Sequence, residues 1–360
     1  MTAYLRAALL PVAFALAVGA AATWPLVLSP WNSLAWSPFA EGHAAALGFA
    51  ARSAPWDTHL SLAGWPSGVD FRPLLWPASL IAVATGSVLA YAILLVIIPA
   101  LNVLGGVALG AALRMEPRAA AVLGALLAFP PWVRTTLQNG QPEQAWLGLG
   151  AAVLAVIVSC TRRRGLAWLG VPLVVFAGAA ATPHVVIASM VLLGAWAAWG
   201  ARSEPLRLVA GGLAALGVAG VVAWHGAGLV DDSLFAPLGT LDDRAGPALK
   251  HSVEAFDLFL PARSPPGKGP WVVHLGYVGL PLLLGALAGR KAAPWALGAA
   301  AVALLLALGD NGPMRWLGGA LHPSAVPYRF TLAVVMALAV AAASTRWGPF
   351  LALVSLAEAA

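Results

Sequence analysis

Residues 87–113 read SVLAYAILLVIIPALNVLGGVALGAAL, a stretch without a charge that ends at Arg114. A helix crosses the hydrocarbon layer of a bilayer with about 20 apolar residues, within a range of roughly 17 to 25. One crossing is therefore predicted here. The uncharged interval is longer than the stretch itself, because Arg72 and Arg114 enclose 41 residues, interrupted by Pro77 and Pro99. Two crossings in that interval would reverse every later loop and turn Arg162-Arg163-Arg164 outward, against the bias of basic loops toward the cytoplasm. A re-entrant or interfacial helix around residues 74–85, then a single crossing, avoids the conflict.

The whole chain has the same character. Of 360 residues, 61% are hydrophobic and 9% charged, where a soluble domain carries roughly 25% charged residues. So few charges cannot cover the surface of a soluble globule of this size. Disorder is excluded by the same composition, and a disulfide scaffold by the single cysteine, Cys160. The net charge of +6 and pI near 10.1 do not indicate nucleic acid, since the basic residues are scattered over short loops between apolar runs. Near the start, Arg6, an apolar run and Ala20-Ala21-Ala22 imitate a cleavable signal peptide. An uncleaved first span is the expected reading, and both readings put the next segment outside the cytoplasm.

Apolar runs, uncharged but for Arg6 in the first, define the other crossings: Leu5–Leu28, Ala119–Pro130 continuing through Trp132, Ala145–Cys160, Gly165–Ala181, Val185–Gly200, Leu208–Val230, Val272–Gly289, Ala292–Gly309 and Thr331–Ser344. Trp347–Ala357 is an eleventh run of only 11 residues. The expected fold class is all-α, a polytopic membrane bundle of about 10–11 helices forming one domain over residues 1–360. Its two larger extracytoplasmic loops cover residues 29–72 and 231–271. Charge supports the sidedness. The predicted cytoplasmic side holds 11 basic and two acidic residues, the other side nine basic and 12 acidic. All seven histidines fall on or beside the outer side, so any chemistry is expected there, in the cytoplasmic (inner) membrane of a cell envelope.

Several outer residues have the chemistry of a site. Glu41 follows the first span at the membrane surface, where an ionised carboxylate can act as general base or metal ligand. His43 lies two residues on. The competing reading makes Glu41 a helix cap for residues 42–52. Gln141 and Glu143, in the turn Asn139-Gly140-Gln141-Pro142-Glu143, suit a hydroxyl-rich ligand but equally suit a plain turn. His184, after Pro183, is a substrate contact or a hydrogen-bonded structural histidine. Asp231-Asp232 and Asp242-Asp243 can hold a divalent cation through oxygen ligands, or simply keep their loop solvated. Arg329, where the chain re-enters the bilayer, can grip a phosphate through two parallel hydrogen bonds; snorkelling is the ordinary alternative. There is no phosphate-cradling loop, no zinc-ligand spacing, no Gly-x-Ser-x-Gly and no mid-span acid, the last disfavouring an ion-coupled transporter, and no repeated filter-like segment, which disfavours a channel.

The order of these features resembles the GT-C type integral-membrane glycosyltransferases. The likeness rests on the early outer acid, the Pro66-Ser67-Gly68 turn and the Asn139-Gly140-Gln141 turn after a proline-ended helix. It continues in Asp257 to Pro261 leading into Tyr277-Val278-Gly279-Leu280, and in Pro327-Tyr328-Arg329. The resemblance implies a sugar moved from a polyprenyl-phosphate donor to an unknown acceptor at the extracytoplasmic face, among membrane lipids and without nucleic acid. It assigns the role of catalytic base or metal ligand to Glu41, with Asp57 as its stand-in, and the lipid phosphate to Arg329. His43, Gln141, Glu143 and His184 would line the pocket. A divalent cation is the one cofactor it admits. A non-catalytic scaffold or lipid-linked-sugar binding protein of the same fold is the alternative.

Overall fold

Residues 87–113 form the helix they predict, Ser87–Ala112 (α2), continuous through Pro99. The computed structural model describes residues 2–23, 56–57, 65–66, 87–138, 142–162, 166–181, 183–200, 203–231, 277–313 and 330–359. Before α2 come the helix Thr2–Ala22 (α1) and two-residue strands Trp56–Asp57 (β1) and Trp65–Pro66 (β2). The strands pair antiparallel, with Trp56 opposite Pro66 and Asp57 opposite Trp65. This short pair, not foreseen in the first outer loop, is the only strand structure among the described residues. All other regular structure there is helical, as the composition predicts.

After α2 come Pro117–Ala128 (α3), Pro131–Gln138 (α4), Pro142–Ala145 (α5) and Leu147–Cys160 (α6). They are followed by Gly170–Ala181 (α7), Pro183–Gly200 (α8) and Leu206–Asp231 (α9). The last four are Leu280–Ala288 (α10), Pro294–Leu308 (α11), Thr331–Ala343 (α12) and Gly348–Ala359 (α13). Proline opens α3, α4, α5, α8 and α11, where its fixed φ and missing N–H cost least. One expectation is corrected. The third run does not continue through Trp132: α3 stops at Ala128, and a separate helix begins at Pro131. Phe129 and Pro130 each precede a proline, a position that disfavours helical backbone, and neither proline has an N–H to continue the ladder. Likewise Glu143 lies in α5, a helical turn, and Trp146 separates α5 from α6.

The helices are mostly shorter than the uncharged runs that contain them. Among the described residues, Ala92–Ala112, of mean hydropathy 2.5, is the one stretch both long and apolar enough to cross a bilayer unaided. Eight further apolar helical stretches span 10–17 residues.

Helix α12 lies at the centre. It packs against α3, α6, α8, α10, α11 and α13, and every residue from Thr331 to Ala343 is buried. A helix surrounded on all sides is apolar all round, and TLAVVMALAVAAA fits that requirement. To one side, α2 packs against α1, α3 and α6. Adjacent glycines permit this, each serving a different neighbour. A β-carbon on Gly105 would lie 2.0 Å from the Gly148 carbonyl oxygen of α6, and one on Gly106 2.6 Å from the Gly124 Cα of α3. Backbone contact of this kind maximises packing between helices that lack polar partners.

Asn102 is the polar residue of this seam and is fully buried. Its Nδ2 donates to the carbonyls of Ala145 at 2.8 Å and Leu127 at 3.2 Å, and its Oδ1 accepts from the Gly148 amide at 2.7 Å. These three backbone groups lie at helix ends, where the helix supplies no partner of its own. One side chain in the middle of α2 thus satisfies the end of α3, the end of α5 and the start of α6.

The outward faces are also apolar. Helix α10 presents Leu280, Leu284 and Leu287 along one exposed stripe. Leu173 of α7, Leu216 of α9 and Leu353 of α13 are 68%, 65% and 66% exposed.

Candidate functional site

Successive long helices run antiparallel, so their ends fall into two groups. One end gathers the turns after α2, α6, α8, α10 and α12. Among the described residues it carries Arg114, Arg118, Arg162, Arg207, Arg290, Lys291 and Arg346 against Glu116 and Glu204. At the other end lie the close of α3, the short helices α4 and α5, the starts of α8, α10 and α12, and the close of α13.

At this second end the structure brings together two features far apart in sequence. Glu358, in the last turn of α13, faces the segment Tyr277-Val278-Gly279-Leu280 at the entry to α10. Its Oε1 accepts from the Tyr277 hydroxyl and from the Leu280 amide, the latter at 3.3 Å. The Leu280 amide opens α10 and has no partner within that helix, so a carboxylate is doubly favoured there, by the hydrogen bond and by the helix dipole. Gly279 has φ +94°, a conformation glycine adopts without strain. A β-carbon on Gly279 would also sit 3.1 Å from Glu358 Oε2 and 3.1 Å from Pro131 Cδ. Oε2 is buried and has no hydrogen-bond partner among the described residues. Three chain segments therefore converge: the end of α13, the start of α10 and the first residue of α4. The carboxylate pins α13 to α10 with one oxygen and keeps the other unengaged.

Removing this pin is expected to cost stability. Glu358→Ala leaves the Tyr277 hydroxyl and the Leu280 amide without their acceptor, a loss of about 1–3 kcal/mol. Glu358→Gln keeps a carbonyl acceptor and should recover about half of it. Thermal melts of the detergent-solubilised variants measure both, and equal melting temperatures for Ala and wild type would remove Glu358 from any structural role.

The residues singled out in the sequence are placed as follows. Glu41, His43, Gln141 and Arg329 lie outside the described residues. Asp57 is on β1, opposite Trp65. Glu143 is the second residue of α5, and His184 the second residue of α8. Arg329 directly precedes Phe330, the residue before α12. Glu143, His184 and the entry to α12 thus belong to the end of the bundle that holds Glu358. Among the described residues no three His, Cys, Asp or Glu side chains come together as metal ligands would.

Sequence reading passed over Glu358 and Asn102. Glu358 had a signal: it is the only charge after Arg346, in an apolar helix, and an ionisable group there is a site hypothesis by default. Its partners, about 80 residues upstream, lie in the segment Tyr277-Val278-Gly279-Leu280 that the sequence singled out, but nothing there pointed to Glu358.

The basic end has its own electrostatics. Arg207 bonds Glu204 at 2.9 Å, and its guanidinium carbon lies 4.3 Å from the centre of the Trp196 ring. Partial desolvation and then Arg114 lower the Arg162 guanidinium from its ordinary pKa; Arg207 adds to this and Glu204 opposes it.

No protein-family model matches the chain, and no curated protein or solved structure matches it either.

Proposed function

We propose that the chain is a polytopic membrane glycosyltransferase of the cytoplasmic membrane, acting at its extracytoplasmic face on a polyprenyl-phosphate-linked sugar. The membrane part draws support from the apolar outer faces. Leucines repeat on the exposed side of α10 while the centre is apolar too, an arrangement that water would not tolerate and hydrocarbon favours. Helices shorter than a full crossing are compatible with it where they are covered by protein, as α12 is on every side. The basic end then faces the cytoplasm.

The observation that carries the catalytic reading is the grouping of helix ends. Glu143, His184 and the entry to α12 just after Arg329 share the end remote from the arginine turns. In the proposed reaction Glu41 takes the proton of an acceptor hydroxyl, whose oxygen attacks the anomeric carbon. The bond to the lipid phosphate breaks with its electron pair on the phosphate oxygen, and the anomeric configuration inverts. Arg329 stabilises the charge developing on that phosphate, an interaction strongest where water is excluded. His43, Gln141, Glu143 and His184 contact sugar and acceptor.

Native mass spectrometry of gently purified protein tests the donor site. Wild type is expected to carry a polyprenyl-phosphate sugar, and Arg329→Ala to lose it. If neither carries such a lipid after donors are added, the glycosyltransferase reading fails. A bound donor without transfer would leave the non-catalytic binding protein.

A further inference from the structure

Three arginines at the basic end are drawn together from segments distant in sequence: Arg114 from the turn after α2, Arg162 from the end of α6 and Arg207 from the start of α9. Leu113, next to Arg114, Val158, one turn before Arg162, and Trp196, beneath Arg207, line one crevice, and Arg114, Arg207 and Glu204 all act on Arg162. That acid is already engaged by Arg207. The Arg207 side chain is immobilised on both sides. It lies over Trp196 and against Gly200, where a β-carbon would sit 2.1 Å from its Nη1. Arg114 and Arg162 are both exposed, and the Glu204 that acts on Arg162 is shared with Arg207. Arg114 is also held at φ +60°, the one described non-glycine residue with positive φ, and the amide after it is fixed by the Gly110 carbonyl. Like charges gathered from separate turns repel unless an anion lies between them, and Arg163 and Arg164 add to the charge in sequence.

The surroundings decide which anion. Trp199 and Leu206 are 65% and 50% exposed, so the cluster borders apolar surface as well as water. Leu113 and Val158 lead from it to an all-carbon crevice shared with Leu109, Leu154 and Trp196. This crevice is too tight to admit an acyl chain, so a chain would lie along the apolar surface beside it. We propose that Arg114 and Arg162, with Arg207 beside them, form a binding site for the phosphate of an anionic phospholipid of the cytoplasmic leaflet. The site rests on the membrane part of the reading above, and not on glycosyl transfer. It differs from a diffuse topology signal because it predicts selectivity for one pair of arginines over an equal charge elsewhere at the same end.

The test reconstitutes the protein in phosphatidylcholine nanodiscs with and without phosphatidylglycerol and counts retained phosphatidylglycerol by native mass spectrometry. A basic residue near the surface contributes about fivefold to anionic-lipid binding. Arg114→Gln with Arg162→Gln should therefore reduce retention about 25-fold or more, while Arg290→Gln with Lys291→Gln, at the turn after α10, should reduce it clearly less. Equal losses in the two pairs, or no preference for phosphatidylglycerol in wild type, overturn the site while leaving membrane embedding intact. Failure to enter neutral nanodiscs overturns the embedding and the site with it. Inorganic phosphate added to the same discs should not displace the lipid, and displacement would overturn a lipid assignment in favour of a free-anion site.

Discussion

Asn102→Leu is expected to lower the unfolding free energy by about 2–4 kcal/mol. Leucine keeps the branched outline of asparagine but is bulkier, so the loss combines the broken hydrogen bonds with overpacking of the seam. Three buried backbone groups, the carbonyls of Leu127 and Ala145 and the amide of Gly148, lose their partner together. Asn102→Asp should be about as damaging, because it removes both donors and turns a carboxylate toward two carbonyl oxygens. Ser189→Ala serves as the comparison. Ser189 is equally buried, but its hydroxyl donates to Val185 of its own helix at 2.6 Å. That carbonyl is already a helix acceptor, so alanine should cost less than about 1 kcal/mol. Melting temperatures in one detergent measure all three. An Asn102→Leu protein melting with wild type would mean that the helix ends find other partners, and the central tie would be discarded.

Glu41→Gln is expected to reduce sugar transfer by about 10²–10⁴-fold, the contribution of a positioned general base. The amide keeps the shape and can still hydrogen-bond, but it cannot hold the acceptor's proton. Transfer of labelled sugar from a polyprenyl-phosphate donor in proteoliposomes is the readout, with the melting temperature as a check on folding. Asp57→Asn is measured beside it. Loss in Asp57→Asn with near-normal turnover in Glu41→Gln would move the base to Asp57, on β1. Near-normal turnover in both would leave the first outer loop without a base and favour the non-catalytic scaffold.

Helical class and helix positions were legible in the chain because each depends on local composition. The run at 87–113 becomes α2 nearly end to end, and 331–344 becomes α12. Even the 11-residue run after Arg346 forms a helix, Gly348–Ala359. The misreading at Trp132 came from treating an uncharged run as an unbroken helix; two consecutive prolines outweigh apolarity, because they remove two backbone donors in succession. The catalytic assignments stand apart, since Glu41 and Arg329 were read from order and resemblance, and the described residues do not include them.

By itself the sequence determined what hydropathy and backbone chemistry control: a helical chain, its interruption at Pro142, and the segregation of arginines to alternate turns. These are properties of neighbours along the chain. Which helix is central, and which polar groups meet, was decided only in three dimensions. Nothing in TLAVVMALAVAAA distinguishes the helix enclosed on every side from one facing outward, for both must be apolar. Asn102 meets Leu127, Ala145 and Gly148, and Glu358 meets Tyr277, across separations of 25 to 81 residues. Each contact satisfies a helix end or a buried hydroxyl, and such needs carry no sequence mark because every helix end has them. What selects the partner is the close approach of α2 to α3 and α6, permitted where Gly105 and Gly106 carry no side chain.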